Sequence, residues 1–236
     1  MRSTSLRPGR SVVITGAGAG LGREIALGFA ARGYIVFGTA MSAAEALGLK
    51  DASGGRVSLT VCEGAKAASV EAWASGVADA IGSAGLNLLI TIGGNFTPAP
   101  VEFLPLDAIR HAFEVNVFGL LSVITAFLPA LRSARGRILQ ISSWTASIPL
   151  PFDGPSGASM AAMEAFLAAY RAELKPFGID VVIVPVGLLT TGAVGGADAT
   201  LAQFVAEATS EQRKLYGKRL DAFANGLERL RADGSD

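Results

Sequence analysis

Short runs of β-branched and other apolar residues alternate along the chain with longer segments of helical periodicity. The six runs lie at residues 11–15, 34–39, 56–61, 87–92, 136–142 and 179–186. They are almost continuously apolar rather than alternating, which is typical of strands covered by helices on both faces. The pattern therefore predicts an α/β fold with a doubly wound parallel sheet of about six strands and helices on both faces.

The C-terminal part of the chain follows a different pattern. From Thr191 onward the apolar residues recur at helical spacing without a further strand, so residues 191–236 are predicted to form a helical tail or lid. No polar linker or internal repeat divides the chain, which predicts a single domain over residues 1–236. The sixth strand then becomes a predicted sheet edge that the tail or a partner must cover.

Composition and charge narrow the classes of partner. The chain has 236 residues with a formal net charge of zero and no basic run, which argues against a nucleic-acid or membrane partner. Its longest apolar stretch, residues 120–131, is interrupted by Pro129 and is too short to span a bilayer, so it predicts a buried helix. The short apolar run before the first glycines does not resemble a signal peptide, and we expect a cytoplasmic protein.

Cys62 is the only cysteine, so the chain forms no internal disulfide. No histidine or second cysteine lies near it at the spacing of metal ligands. The sequence therefore predicts a small buried residue at this position and no metal site.

The first predicted strand runs directly into a glycine-rich loop, TGAGAGLG, and then into a predicted helix. Glycines in this context permit a tight turn and close approach of the backbone to phosphate oxygens, while the N–H groups of the helix face the anion. The loop predicts a Rossmann-type site for the pyrophosphate of a dinucleotide such as NAD or NADP. The alternative is a glycine-rich turn without a ligand, whereas a GxxxxGK[ST] loop is excluded because no lysine follows. The candidate cofactor residues here are Thr15, Gly16, Gly18, Gly20, Leu21 and Gly22.

Together with three later segments, this loop resembles the short-chain dehydrogenase/reductase family over about residues 10–195. TGAGAGLG is similar to the family's TGxxxGxG, and NVFG at residues 116–119 is similar to its asparagine-containing helix segment. GRILQISS ends at Ser143, where the family places its catalytic serine. VGLLTT at residues 186–191 is similar to the family's PGxxxT, with Val186 in place of proline.

The resemblance implies an oxidoreductase that transfers a hydride between NAD or NADP and a small-molecule carbonyl or alcohol. It implies catalytic roles for Asn116 and Ser143, and cofactor contacts for Gly187 and Thr191, the latter at the nicotinamide carboxamide.

The family motif Tyr-x-x-x-Lys, expected thirteen residues after Ser143, falls on SGASM at residues 156–160. Ser156 and Met160 therefore occupy the tyrosine and lysine positions. In the family, the tyrosine exchanges a proton with the substrate, and the lysine lowers the pKa of that tyrosine and holds the nicotinamide ribose. An alkyl alcohol is far less acidic than a phenol, and loss of a positioned acid typically costs about 10²- to 10⁴-fold in rate. The sequence therefore indicates impaired or lost catalysis.

Further departures concern the cofactor pocket. The family's NNAG segment is TIGG here, where Gly93 and Gly94 still allow the backbone to approach the adenosine. Glu63 falls where the family commonly carries an aspartate beside the adenine. Residues 39–41 end the second strand without an acidic or basic residue, so they indicate no preference between NAD and NADP.

Other residues do not clearly replace the missing pair. Tyr170 and Lys175 lie several turns further along the same predicted helix. His111 is offset by five residues from Asn116 and is predicted to lie on another helix face. Glu164 follows Met160 by one turn, and a solvated helix position is favoured over a carboxylate directed to the site.

Three functions stay open at this point. The first is an oxidoreductase in which an unusual group, such as a water molecule, replaces the tyrosine. The second is a non-catalytic cofactor-binding sensor or partner subunit. The third is a truncated relative without a ligand, and the absence of the family's final strand supports it.

The resemblance also implies a homodimer or homotetramer formed through the fourth and fifth helices. Apolar residues that would form this interface, or equally the core, are Leu120, Leu121, Ile124, Phe127, Phe166 and Leu167.

Overall fold

The computed structural model describes residues 10–62, 64, 66–92, 94–96, 98–187, 201 and 203–233. Within this part of the chain six strands form one parallel sheet. They are β1 (Ser11–Ile14), β2 (Ile35–Ala40), β3 (Val57–Val61), β4 (Leu88–Thr91), β5 (Arg137–Ser143) and β6 (Asp180–Val186). Their order is β3-β2-β1-β4-β5-β6, and all neighbouring strands run parallel. The predicted doubly wound sheet is confirmed.

Helices connect and cover these strands. They are α1 (Gly20–Ala31), α2 (Ala43–Ala52), α3 (Ala67–Ile81), α4 (Leu106–Phe113), α5 (Leu120–Ala134), α6 (Gly154–Leu174) and α7 (Ser210–Asp233). One π-helical segment, Glu114–Gly119, joins α4 to α5, and a 3₁₀ turn, Trp144–Ala146, follows β5. Residues 203–207 are also helical.

Strand β1 explains why the runs are almost continuously apolar. Val13 belongs to a core that includes residues of α3, α5 and α6, whereas Val12 and Ile14 belong to a second core with residues of α1 and α2. Successive side chains of a strand point to opposite faces, so a sheet buried on both faces needs apolar residues at every position.

The helical segment Leu106–Ala134 is continuous through the π-helical segment and through Pro129. Within the described residues it is the one helix that, by length and composition alone, could cross a membrane. The helix is longer than the apolar run of the sequence predicts, because proline removes a backbone hydrogen bond without ending a helix that packing holds on both sides. Ile124, Phe127 and Leu131 are fully buried in the core beside the sheet, which accounts for the apolar character of this segment.

The described residues of the C-terminal tail pack onto the region where α6 begins. Leu201, Leu220 and Leu227 form a small buried cluster against which Phe152 packs. The ring of Tyr216 also contacts the ring of Phe152 edge-on, with centroids 6.2 Å apart. Strand β6 pairs only with β5 among the described strands, and its other side stays a predicted edge.

Candidate cofactor and proton-transfer site

The carboxyl ends of β1 and β4 meet where the strand order reverses, which is the usual ligand crevice of a doubly wound sheet. Thr15 joins the two strands there. Its hydroxyl donates to the carbonyl oxygen of Ile92 at 2.6 Å and accepts from the amide of Ile92 at 2.7 Å. These bonds fix the start of the glycine loop relative to the central strands.

The glycine loop forms a cradle that side chains would fill. Gly16 and Gly20 adopt φ values of +61° and +53°, which favour glycine. A Cβ atom at Gly22 would lie 2.1 Å from the carbonyl oxygen of Gly16. The N-cap residue of α1 is Ala19, whose methyl group cannot accept the first N–H groups of the helix, and the first turn carries no acidic residue. The loop and helix terminus therefore fit a phosphate group.

A carboxylate lies beside this cradle. The amide of Gly16 donates to the hydroxyl oxygen of Thr39 at 2.9 Å, which ties the loop to the end of β2. Oε2 of Glu45 accepts from the amide of Met41 at 3.0 Å. The same oxygen would lie 2.2 Å from a Cβ atom at Gly18, so only glycine fits there without a shift of Glu45. Glu45 is not among the site residues that the sequence predicts.

A signal for Glu45 was present in the sequence. Ser42 is the N-cap residue of α2, and its hydroxyl accepts from the amide of Glu45 at 3.2 Å. A serine followed three residues later by glutamate is typical of a helix start in which the glutamate turns back towards the preceding amides. This spacing therefore predicts that the carboxylate of Glu45 turns back towards the end of β2.

Asn116 connects the loop after β4 to α6. The residue lies in the π-helical segment and is buried. Its Oδ1 accepts from the amide of Asn95 at 2.7 Å, and its Nδ2 donates to the hydroxyl of Ser159 at 2.9 Å. Ser159 in turn donates to the carbonyl oxygen of Ser156 at 2.9 Å. Asn116 thus fixes the backbone at the position of the missing tyrosine.

Ser143 ends β5 and is half-buried. Its hydroxyl oxygen accepts from the amide of Thr145 at 3.2 Å, and the two hydroxyl oxygens of Ser143 and Thr145 lie 2.9 Å apart. One of the two hydroxyls therefore donates a hydrogen bond to the other at the carboxyl edge of the sheet.

Ser156 and Met160 lie one turn apart on α6, and both are buried. The Cε atom of Met160 lies 3.1 Å from the position that a Cβ atom would take at Gly94, so the methionine methyl covers the loop after β4. Neither side chain carries a charge. The pair fills its positions without providing an acid or a cation.

Asp153 is a residue that the sequence analysis missed. It stands at the N-cap position of α6, but its side chain accepts no capping bond. The residue is 2% exposed, and its Oδ1 has no hydrogen-bond partner among the described residues. Burial raises the pKa of its carboxyl from 3.8 to about 6, while hydrogen bonding from Thr145 and Ser156 acts in the opposite direction. An aspartate before a helix predicts only a solvated cap, so the sequence carried no signal for this burial.

The other candidate substitutes lie elsewhere. Glu164 is half-buried, and its Oε1 accepts from the hydroxyl of Ser142 at 2.6 Å, so one of its carboxylate oxygens is already hydrogen-bonded to β5. The hydroxyl of Tyr170 lies 3.4 Å from that of Thr125. Lys175 follows the end of α6 in a 3₁₀ turn, and His111 is exposed.

The family model of the short chain dehydrogenases matches residues 10–202. The chain belongs to the short-chain dehydrogenase family. The predicted family is thus confirmed, and the chain belongs to a family of oxidoreductases.

Curated relatives in this family include retinol dehydrogenase 16 of Mus musculus, 30% identical over 222 residues that cover 93% of this chain and 69% of that protein. The 11-beta-hydroxysteroid dehydrogenase type 2 of Homo sapiens is 30% identical over 235 residues, covering 96% of this chain and 58% of that protein. The NADPH-dependent 3-dehydrocapnine reductase of Ornithobacterium rhinotracheale is 29% identical over 193 residues, covering 80% and 68%. The chain therefore spans about 58–69% of the length of these relatives.

Two solved structures share the fold. One is a 3-ketoacyl-(acyl-carrier-protein) reductase from Brucella melitensis complexed with NADH, with a TM-score of 0.75, 23% identity, and coverage of 80% of this chain and 79% of that chain. The other is an alcohol dehydrogenase from Thermococcus sibiricus complexed with 5-hydroxy-NADP, with a TM-score of 0.71, 24% identity, and coverage of 76% and 77%. Both agree with the predicted Rossmann-type architecture.

Relative to the family pattern, the structure places Asn116, Ser143, Ser156 and Met160 on elements that pack together, because α6 contacts both the π-helical segment and the turn after β5. The cofactor candidates Glu63, Gly93 and Thr191 lie outside the described residues. Gly187 directly follows β6 and is exposed, with no atom of the described residues within 4 Å of the position that a Cβ atom would take. Leu21 lies half-buried in the first turn of α1.

Cys62 is buried, as the sequence indicates, and its sulfur accepts from the hydroxyl of Ser69 at 3.4 Å. Among the residues that the structure describes, no group of three histidine, cysteine, aspartate or glutamate side chains is arranged to hold a metal ion.

Proposed function

We propose that this short-chain dehydrogenase binds a nicotinamide dinucleotide at the loop Thr15–Gly22 and that its carbonyl or alcohol chemistry is impaired. The glycine cradle is the observation that carries the proposal. A Cβ atom at Gly22 would lie 2.1 Å from a backbone oxygen, so the loop requires glycine where a phosphate approaches an uncapped helix terminus. The bound nicotinamide would supply or accept the hydride.

The carboxylate of Glu45 supports a preference for NAD over NADP. Glu45 is half-buried beside Gly18, at the end of β2 where the adenosine ribose binds in doubly wound folds. A carboxylate there can accept a hydrogen bond from a ribose 2'-hydroxyl and repels a 2'-phosphate. For a partly exposed pair of like charges we expect about 1–2 kcal/mol, or roughly tenfold, in favour of NAD.

Impaired catalysis is supported by the residues that replace the tyrosine and lysine. Ser156 is buried and uncharged, and its hydroxyl is a weaker acid than a phenol. Met160 places a methyl group over Gly94 and cannot hold the ribose hydroxyls or lower a neighbouring pKa. We expect turnover about 10²- to 10⁴-fold below that of a site with the intact pair.

The substrate class that we propose is an apolar alcohol or ketone. The relatives named above include dehydrogenases of retinol and of hydroxysteroids. In this chain two aromatic rings of α7, Tyr216 and Phe223, lie against Phe152, two residues before α6. Such a surface suits an apolar ligand beside the proton-transfer residues.

A cofactor-binding sensor or partner subunit is the second candidate. This candidate is supported by where the substitutions fall. The loop and the bonds of Asn116 are retained, whereas both side chains for proton transfer and ribose binding are replaced. A cytoplasmic location and a homodimer or homotetramer stay predictions. Phe166 is exposed on α6, whereas Leu120, Ile124, Phe127 and Leu167 are buried in the core.

Titration of the full chain with NADH and with NADPH, followed by nicotinamide fluorescence, tests the proposal. We expect saturable binding of NADH and about tenfold weaker binding of NADPH. If neither cofactor gives a saturable signal, the chain is a relative without this ligand, and both cofactor-dependent functions are wrong.

A further inference from the structure

Asp153 stands directly before the helix that carries the substituted motif. Its carboxyl is almost completely buried, makes no capping bond to α6, and leaves Oδ1 without a partner among the described residues. A buried carboxyl without full hydrogen bonding costs folding stability. Sites that keep such a costly group are often sites where the group exchanges protons or binds a ligand.

The neighbours of Asp153 connect it to the predicted substrate position. A Cβ atom at Gly157 would lie 3.8 Å from Oδ2 of Asp153 and 3.0 Å from the carbonyl oxygen of Thr145. The glycine thus leaves space beside the carboxyl. The hydroxyl of Thr145 lies 2.9 Å from that of Ser143, and the side chains of Thr145 and of Ser156, in the first turn of α6, both hydrogen-bond the carboxyl of Asp153. Hydroxyls therefore flank the carboxyl on the side of β5 and on the side of the missing tyrosine.

Among the residues that the structure describes, Asp153 is the only aspartate, glutamate, lysine, arginine or histidine that is buried. Glu102 is hydrogen-bonded to Tyr216, whose pKa this bond raises, and Glu164 accepts from Ser142. The remaining titratable residues of the helical segment before α5 are exposed; they are Asp107, Arg110, His111 and Glu114. The carboxyl of Asp153 is therefore the one acid among these groups that is buried beside the hydroxyls.

We propose that Asp153 is the proton donor and acceptor of this site and acts on the substrate oxygen through the hydroxyls of Thr145 and Ser143. With an alcohol substrate, a bound oxidised nicotinamide would accept the hydride, while the hydroxyl proton of the substrate passes through the hydroxyls of Ser143 and Thr145 to the carboxylate of Asp153 and is later lost to solvent. Carbonyl reduction runs the same exchange in reverse, with the acid form as donor. The proposal rests on the cofactor binding proposed above and supplies the turnover that remains without the tyrosine.

The ionisation of Asp153 suits this exchange. Burial places the pKa of its carboxyl near 6, so the acid and the carboxylate are both accessible close to neutral pH. The hydroxyl of Ser156, in contrast, stays protonated throughout this range.

The test compares the full-length wild type with Asp153→Asn, Asp153→Glu and the control Glu164→Gln, which removes a carboxylate that Ser142 already binds. NADH affinity is measured by fluorescence. NADH consumption is measured between pH 5.5 and 9 with phenanthrenequinone and with retinal. We expect slow reduction by the wild type that falls as pH rises through about 6, and a loss of about 10²-fold in D153N with NADH affinity unchanged. D153E should retain part of the rate and the inflection, and E164Q should retain both.

A second measurement does not depend on turnover. In protein labelled with ¹³C at the aspartate carboxyl carbon, we expect one resonance that titrates near pH 6, is absent from D153N and shifts when NADH is bound. A resonance that titrates near the ordinary value of aspartate, or one that NADH leaves in place, contradicts the proposal.

The outcomes separate the two proposals. Absence of NADH binding by the wild type overturns the proposed function and this inference with it. Saturable binding without reduction of either carbonyl, or a D153N protein with an unchanged rate and inflection, overturns only the role of Asp153.

Discussion

The glycine loop and the start of α6 lie at the same carboxyl edge of the sheet, yet they relate differently to the family pattern. In the loop, the positive φ of Gly16 and the contact at Gly22 keep the geometry that a pyrophosphate needs. At the start of α6 the backbone is also held, through Asn116 and Ser159, but Ser156 and Met160 replace the reactive side chains. The backbone of the loop supplies the phosphate geometry, whereas proton transfer depends on the side chains at the start of α6.

This comparison explains how binding and chemistry can diverge within one domain. A phosphate site made of backbone N–H groups depends on glycines and helix position, which are part of the fold. A proton-transfer site depends on the identity and pKa of one or two side chains, and these can change without disturbing the strands or helices. A retained loop therefore supports cofactor binding more strongly than turnover.

The largest effect on binding is expected from Gly22→Ala. The added Cβ atom would lie 2.1 Å from the carbonyl oxygen of Gly16, so the loop must shift. We expect NADH binding to weaken by about 100-fold or more, equivalent to about 2.7 kcal/mol, with a loss of about 1–3 kcal/mol in stability. Fluorescence titration and thermal unfolding measure the two effects.

Gly76→Ala is the matched control for that variant. Gly76 lies in α3, and no atom in the described part of the chain lies within 4 Å of its Cβ position, so the alanine should leave NADH affinity unchanged. Its stability should stay equal or rise by up to about 1 kcal/mol. Equal NADH affinity in the two variants would show that the loop does not form the cofactor site.

Asp153→Asn should stabilise the folded protein at neutral and alkaline pH. Because burial raises the pKa of Asp153 from 3.8 to about 6, the folded state holds the proton more tightly than the unfolded state. The cost of the buried carboxylate is absent below about pH 4, grows between pH 4 and 6 and is complete above that range. We expect a gain of the order of 2–3 kcal/mol at pH 8 that disappears near pH 4.

Thermal unfolding of both proteins across this pH range measures the gain. Asp107→Asn serves as the control, since Asp107 is exposed in a surface ion pair with Arg110 and should change stability by less than about 1 kcal/mol. A D153N gain that is independent of pH would mean that the carboxyl does not titrate in the folded state as proposed.

Glu45→Gln should change the cofactor preference by a smaller amount. The amide can still accept from the backbone of Met41, but the negative charge beside Gly18 is removed. We expect the ratio of the NADPH and NADH dissociation constants to fall about tenfold, or about 1.4 kcal/mol. Asp51→Asn, at the exposed far end of α2, should leave the ratio unchanged. A ratio that is equal in E45Q and the wild type contradicts the role of Glu45.

The fold and the loop could be predicted because their signals are local. The strand runs are apolar at every position because both faces of the sheet are buried, as the opposite cores around Val12 and Val13 illustrate. The glycines of the loop likewise report a backbone requirement that is independent of the rest of the chain.

The acidic residues of the site could not be predicted in the same way. Asp153 follows a pattern typical of an exposed helix cap, and only the packing of α6 against the turn after β5 buries it. Glu164 occupies a position favoured for solvent, but Ser142 on β5 binds it. Both outcomes depend on contacts between residues that are distant in sequence, which periodicity and spacing do not report.

The most direct test of the account is a comparison of the wild type with the double variant Ser156→Tyr, Met160→Lys. NADH affinity and carbonyl reduction are measured on the same samples, with the fold monitored by circular dichroism. The account predicts saturable NADH binding by both proteins and turnover about 10²- to 10⁴-fold higher in the double variant. A wild type that already turns over as fast as a folded, NADH-binding double variant would contradict it.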